Sequence, residues 1–495
     1  MVSILPRLDM KAPIFLILGL VFLASLASRA AEPMNLVFLL TDDQTIYSLG
    51  CYGNDDVKTP HIDSLAEDGI TFDRHYDTTA ICMASRATIF TGLFEYRNGC
   101  NFEHGHLVRE HWDKSYPLLL RGAGYRTAIA GKIGIEVSDK PDDKKGGYLP
   151  EDDFDAWGAG RGQTSYDTKK NKSMAKYADE YPHASVSYGA FGRDFIKDSA
   201  KGGAPFCLSI SFKAPHMPAT PDPQFDHIYE GKTFKKPANY GRENGEHFSL
   251  QSRQGRQYER FESWGYKDKY DQVMAIYHQQ IYGVDVAIGM IREALEEAGV
   301  ANNTAIIFTS DNGFLCGSHG YGSKVIPYEE SSRAPMIVYI PGHDNSGKRL
   351  RSGALTGNTD FYPTMLELAG LEIPEGIDGK SLLPLYDNPA AETHTQLPLI
   401  NVWGPKAVQS LGVVTKDWKY IYWPYDEKDG FEKTEEMYQL GKDPYELTNL
   451  VSNPEYQERL KELRQKYDGE LNAWKEKAVP YHNYQPYGEW FERDE

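Results

Sequence analysis

A continuous apolar run at 35–40 and two further buried-looking, mostly apolar stretches at 205–212 and 305–310 recur along the chain, separated by segments of helical period. A strand buried on both faces of a parallel sheet requires such runs, whereas a strand with one wet face alternates. A helix is predicted at 60–68, with Thr59 as N-cap, Pro60 in its first position and Gly69 as its stop. Another follows Tyr116, where Leu118, Leu119 and Leu120 pack and Gly124 closes the element before a strand at 125–130. Between the second and third apolar runs, Val273, Tyr277, Val284, Ile288, Ile291 and Leu295 recur at helical spacing and predict one long structural helix over 270–298. Strand and helix alternate, so the fold class is α/β.

The stretches 139–184 and 221–267 break this rhythm. Polar, aromatic and weakly periodic, they read as surface insertions that shape a cleft, with Trp157, Tyr166 and Tyr181, and Tyr188 just beyond, as sugar-stacking candidates. After a helix around 361–369 the pattern changes near 384–398. Short strands at 411–415 and 418–423 and a helix at 454–474 then suggest a small α+β unit. The expected division is 1–31, 32–385 and 386–495.

Composition narrows the partners. A net charge of −18 argues against nucleic acid and anionic membrane surfaces, so an anionic substrate needs a local cationic pocket. Arg7 and Lys11 precede an apolar run at 14–26, with Ser28 and Ala30 suiting cleavage; 1–31 therefore reads as a secretory signal peptide. Export, periplasmic or secreted, is expected, with no membrane attachment after the signal is removed. The five cysteines have neither metal-finger nor disulfide-scaffold spacing, and the sequence assigns neither pairing nor oligomeric state.

Two polar pairs follow apolar strands: Asp42-Asp43 after the first, Asp311-Asn312 after the third. In doubly wound sheets such strand ends converge on the ligand crevice. Four oxygen donors without a cysteine–histidine cluster suit a hard cation, calcium first and magnesium second, better than zinc. Either pair alone serves equally well as a turn or helix cap. Likewise, Cys82 in a bare C-x-x-x-R run could be a buried cysteine opening a helix.

Cys82-Met83-Ala84-Ser85-Arg86, however, resembles the signature of the type I sulfatases. The resemblance extends over nearly the whole mature chain through Thr41-Asp42-Asp43-Gln44, Thr59-Pro60-His61-Ile62-Asp63, Ala130-Gly131-Lys132, Pro215-His216, Ser310-Asp311-Asn312-Gly313, Gly322-Ser323-Lys324, Asp378-Gly379-Lys380-Ser381-Leu382 and Lys442-Asp443-Pro444. It implies the alkaline phosphatase superfamily fold, a large mixed, mainly parallel sheet between helices, with a smaller C-terminal α+β subdomain. It also implies that Cys82 is oxidised by a formylglycine-generating maturation enzyme to formylglycine (3-oxoalanine), whose hydrate attacks sulfate. The metal would be held by Asp42, Asp43, Asp311, Asn312 and modified Cys82. Arg86 would fix the hydrate, Lys132 and Lys324 would hold sulfate oxygens, and His216 would protonate the departing alcohol. His104, His319 and Arg333 are further candidates for substrate contact.

The chain departs from this pattern twice. Gly134 stands where many relatives carry a histidine that helps eliminate sulfate, leaving His104 or His106 as candidate substitutes. Ala84 replaces a common proline and favours a bacterial source. The expected activity is hydrolysis of a sulfate ester on a sulfated carbohydrate, a polysaccharide or glycosaminoglycan fragment. The alternatives are a phosphoesterase of the same superfamily, and a non-catalytic protein that binds sulfated glycans.

Overall fold

In a computed structural model of the chain, residues 1–2, 33–141, 146–427 and 430–494 are described; the expected signal peptide falls almost wholly outside them. The first apolar run forms β1 (Asn35–Thr41), buried along its whole length. The main sheet also contains β2 (Ile70–Tyr76), β3 (Arg126–Lys132), β4 (Ala156–Gly160), β5 (Phe206–Ser211), β6 (Thr304–Ser310), β7 (Met336–Tyr339) and β8 (Leu350–Gly357), in the order β8-β2-β7-β6-β1-β5-β3-β4. Only β7 runs against its neighbours; every other pairing is parallel. The fold is therefore the expected mixed, mainly parallel α/β sheet. Its central strands β6, β1, β5 and β3 all point the same way, and their carboxyl ends share one edge. Register places Thr41 opposite Ser310, so the two polar pairs emerge side by side.

Helices cover both faces. On one lie α1 (Pro60–Asp68), α3 (Ala184–Gly202) and the long α5 (Tyr270–Glu297), with Leu65, Ile196 and Ile288 in the same core cluster as Val37 and Leu39 of β1. On the other lie α2 (Cys82–Thr91) and α6 (Phe361–Leu368), with Ile89 and Phe361 packed with Leu36 and Phe38. Alternate β1 side chains thus feed two cores, which is why that run admits no polar residue until its end. Thr59 stands at the start of α1, but the N–H groups of His61 and Ile62 donate to Asp285 Oδ1 of α5 at 3.0 and 2.8 Å. A carboxylate from another helix therefore supplies the cap.

The insertion reading of 139–184 needs correction: this stretch contributes β4, the sheet's outer strand, paired parallel to β3. Nor do its aromatics form a sugar platform. Tyr166 and Tyr188 are buried, while Trp157 and Tyr181 pack against the cores. Tyr166 instead donates a 2.8 Å hydrogen bond to the carbonyl of His216.

Beyond the main sheet, β9 (Leu397–Asn401), β10 (Ser410–Val414), β11 (Lys419–Trp423) and β12 (Thr434–Tyr438) form the expected small antiparallel sheet. α7 (Gln457–Lys477) buries Leu463, Tyr467 and Trp474 in the same core as this sheet. Residues Met34–Glu495 form one compact unit.

Candidate active site

Most side chains of the site are delivered by a strand end or by α2, while His216 and Lys324 come from loops. Asp42 and Asp43 follow β1, Asp311 and Asn312 follow β6, Lys132 ends β3, and Cys82 opens α2. The carboxylates of Asp42, Asp43 and Asp311 and Sγ of Cys82 all lie within 4.8 Å of one another and are buried. Cys82 is 2% exposed. Its Sγ stands 3.2 Å from Asp42 Oδ1 and 2.7 Å from Lys324 Nζ. Lys132 Nζ donates to Asp42 Oδ2 at 2.6 Å, and Lys324 Nζ also donates to Asp43 Oδ1. Arg86, one helical turn beyond Cys82, donates through Nε to Asp311 Oδ2 at 2.7 Å and through Nη1 to the carbonyl of Lys132 and Oγ of Ser211. His216 Nε2 lies 3.8 Å from Asp43 Oδ2.

Three carboxylates (Asp42, Asp43, Asp311) face three cations (Arg86, Lys132, Lys324), all of them buried. Burial alone would raise Asp42, but Lys132, His216, Lys324 and Arg86 hold it well below the usual carboxylate range. Asp311 is raised by burial and by Asp42 against the pull of Arg86. Burial and Asp42 push the Cys82 thiol up to about 12, so the unmodified side chain is protonated and a poor nucleophile. Burial brings His216 down to about 4 despite Asp43 and Asp42, so its imidazole is neutral until further negative charge arrives.

Among the side chains of this cluster, Oδ1 of Asn312 and Nη2 of Arg86 make no hydrogen bond, although Nη2 faces Asp42 Oδ2 at 4.0 Å. A buried orphan costs about 1–3 kcal/mol, so Oδ1 of Asn312 points to a missing partner. Asn312 Nδ2 already donates to Asp43 Oδ1 at 2.8 Å, which aims its carbonyl oxygen as a ligand beside the carboxylates. The donor set of three carboxylates and one amide oxygen fits a divalent cation of the hard class.

Close backbone approaches fix these groups. Gly134 has φ +76°, and a Cβ there would lie 3.0 Å from Arg86 Nε and closer still to Cδ, so the glycine makes room for the arginine stem. A histidine at 134 is thus sterically incompatible with this placement of Arg86. Asp43, Ser323 and Val325 also have positive φ, of 69°, 71° and 94°. Lys324 therefore sits between two residues in the left-handed region, unusual above all for a β-branched valine.

Some supporting residues carry no motif. Ser211, at the end of β5, accepts from Arg86 Nη1 and donates to the Lys132 carbonyl at 2.7 Å. Tyr277 of α5 donates to the Asp43 carbonyl at 2.6 Å and accepts from the Thr45 N–H at 3.0 Å, holding the loop after β1. Their only sequence signal is a hydroxyl on an otherwise apolar face.

The three further substrate-contact candidates are engaged elsewhere. Both ring nitrogens of His104 face backbone carbonyls, of His482 and Val402, each at 3.0 Å, leaving neither free to act as a base. His319 is fully buried between Asn239 and the Asn244 carbonyl. Arg333 contacts the Tyr47 hydroxyl at 3.2 Å and Glu329 at 3.4 Å. His106 lies 3.9 Å from Glu136.

Comparison with known proteins agrees with this geometry. The sulfatase family model matches residues 34–371, and the model of the C-terminal region of N-sulphoglucosamine sulphohydrolase matches 317–473. An N-acetylglucosamine-6-O-sulfatase of Bacteroides thetaiotaomicron is 29% identical, over 90% of this chain and 88% of its own length. An arylsulfatase of Clostridium perfringens is 27% identical, over 89% and 95%. A structure solved in complex with its substrate, D-glucosamine-2-N,6-O-disulfate, superposes with a TM-score of 0.73 at 27% identity, covering 91% of this chain and all of that one.

Proposed function

The chain belongs to the sulfatase family and is a sulfuric ester hydrolase, and on that premise we propose that it removes a sulfate ester from a sulfated carbohydrate through a formylglycine formed from Cys82. The observation that carries this reading is the placement of Cys82 Sγ between Asp42 and Lys324, with Arg86 buried against Asp311 and Asp42 in the same cluster. The saccharide assignment rests on the relatives, which include the N-acetylglucosamine-6-O-sulfatase and the glucosamine disulfate complex.

Members of the family use a divalent cation, and here Asp42, Asp43, Asp311 and Asn312 would hold it, calcium before magnesium. When bound, it supplies positive charge that polarises the sulfate oxygens and the hydroxyl at position 82. The residues do the rest. Lys132 and Lys324 reach the same space as Cys82 and hold sulfate oxygens as charge shifts during transfer. Arg86 orients the hydrated aldehyde through its forked donors. One hydroxyl of the hydrate gives its proton to solvent, and its oxygen forms a bond to sulfur as the bond from sulfur to the alcohol oxygen breaks. His216, recharged by the incoming anion, gives the departing oxygen its proton. The second hydroxyl then loses its proton to solvent as the carbon–oxygen bond to sulfate breaks and the aldehyde returns; addition of water restores the hydrate. A serine hydroxyl, lacking that second oxygen, would remain as a stable ester.

The catalytic part is assigned to 32–385 and a C-terminal subdomain to 386–495, on the separation of the four-stranded sheet from the eight-stranded one. The charged-then-apolar N-terminal pattern supports export to the periplasm or exterior and removal of 1–31, while a formylglycine-generating enzyme is the required maturation partner. The test is turnover of matched sulfated and phosphorylated mono- and oligosaccharides by matured protein. Faster cleavage of the phosphate esters would refute the assignment.

A further inference from the structure

The polar stretch 221–267 brings two cations to the nucleophile's rim. Arg256 and Arg260 lie one helical turn apart on α4 (Arg256–Ser263). Arg260 stacks 4.1 Å above the ring of Trp264, and its Nη1 donates at 2.8 Å to Oγ of Ser323, the residue before Lys324. Arg256 stacks 4.3 Å above Trp403. That indole packs against Ile81, Ala84 and Val325, of which Ile81 precedes Cys82 and Val325 follows Lys324. Two aromatic plates therefore fix two guanidiniums beside the sulfate cradle.

Among the described residues, neither guanidinium has an ion-pair partner. This is not for want of acids, since the chain has 71 acidic residues against 53 Lys and Arg. Glu103, a carboxylate whose charge reaches Arg256, instead accepts the N–H of Gly404 at 3.0 Å. Partial burial lowers Arg256 against the pull of Asp43, while burial and then the like charge of Arg256 bring Arg260 down to about 10. Planar, pre-stacked guanidiniums match sulfate and carboxylate in a forked geometry.

We propose that Arg256 and Arg260 form a second anion subsite, which receives another sulfate or a carboxylate of the same saccharide while its scissile sulfate lies against Lys132 and Lys324. The proposal rests on the saccharide reading above and narrows it to substrates carrying at least two anionic groups. Trp403 fixes the reach of Arg256, and Ser323 ties Arg260 to the loop that carries Lys324.

The test compares three saccharides of one backbone: one with a single sulfate, one with two sulfates, and one with a sulfate plus a uronate carboxylate. Matured wild-type enzyme is expected to favour at least one dianionic substrate by about tenfold or more in kcat/KM, mainly through KM. R256Q should erase most of that ratio, and R256E should reverse it. Arg256 is solvent-exposed, so these variants should fold. The same saccharides are titrated calorimetrically into C82S and into C82S carrying R256Q, a readout independent of turnover. Tighter dianion binding that vanishes with R256Q supports the subsite even if wild type cleaves none of the three, an outcome that would instead refute the proposed function. A dianion preference identical in wild type and R256Q, or no preference in either assay, overturns the subsite. The two dianionic arms tell sulfate from carboxylate.

Discussion

Replacing Gly134 by alanine tests whether the glycine's absent side chain is what places Arg86. With φ at +76°, an alanine there carries left-handed strain of about 1–2 kcal/mol. Its Cβ would also stand 3.0 Å from Arg86 Nε and nearer to Cδ, where a buried side chain held at both ends cannot simply swing away. Arg86 must give up its bond to Asp311 or those to Ser211 and the Lys132 carbonyl. Losing one hydrogen bond to a charged group costs about 1.5–3 kcal/mol. The expected destabilisation is therefore about 3–5 kcal/mol. A shift of about 1 Å in a positioning group costs on the order of a hundredfold in rate. Denaturant unfolding measures the first quantity and steady-state turnover by matured enzyme the second. Gly134→His, which adds a ring to the same clash, should be worse than Gly134→Ala. An alanine variant with wild-type turnover and stability, or a histidine variant faster than wild type, would refute the steric argument.

Cys82→Ala and Cys82→Ser should both lack turnover, and peptide mass spectrometry of active wild type should show position 82 as the aldehyde; only unmodified thiol in an active preparation would end the formylglycine reading. Elemental analysis should find about one calcium or magnesium per chain, and Asp311→Ala should lose the metal and about a hundredfold or more in rate; two tightly bound zinc ions would contradict the ligand assignment. His216→Ala should slow alkyl sulfates, with poor leaving groups, by about 10²–10⁴ and activated aryl sulfates much less; equal losses would deny it the role of acid. Burial raises Asp285 to about 7 although it accepts the N–H groups of His61 and Ile62, so the folded chain keeps this proton longer than the unfolded one, and the site's contribution to stability falls as pH rises from about 4 to 7. Asp285→Asn should remove on the order of 1–3 kcal/mol of that decline between pH 5 and pH 8 in urea unfolding, and an unchanged difference would count against it.

The sheet's centre was legible because β1, β5 and β6 are mostly apolar and carry no charged residue, and because Asp42-Asp43 and Asp311-Asn312 directly follow β1 and β6. Its periphery was not. In β2, Asp73 and Arg74 interrupt the pattern, and β8 carries Gly353 and a register shift between Ser352 and Leu355. The helix α3 went unread because Gly189 and Gly192 lower its helical propensity. Those glycines serve packing, for a Cβ at 189 would stand 2.9 Å from Ala287 of α5 and one at 192 would stand 3.0 Å from Ile291. Within the site, motif position marked Cys82, Arg86, Lys132, Lys324 and the acidic pairs, which the structure brings together. His104, by contrast, neighbours the nucleophile's helix in sequence while its ring is spent on backbone carbonyls of distant segments. Arg256 and Arg260 lie in a stretch without periodicity, and only the tertiary positions of Trp403 and Ser323 make them conspicuous.

The near-complete burial of Cys82 sets an order of events in the life of the chain. A thiol 2% exposed at the start of α2, roofed by Asp42 and Lys324, offers no approach to the catalytic groove of another protein once the sheet has closed. On the proposed formylglycine reading, oxidation would therefore run ahead of folding, on a nascent or still-extended polypeptide. Synthesis would then be a race, in which chains that collapse first are folded but inert. Specific activity then measures the fraction of chains caught in time, and slowing translation or raising the supply of maturase should increase it without changing the yield of folded protein.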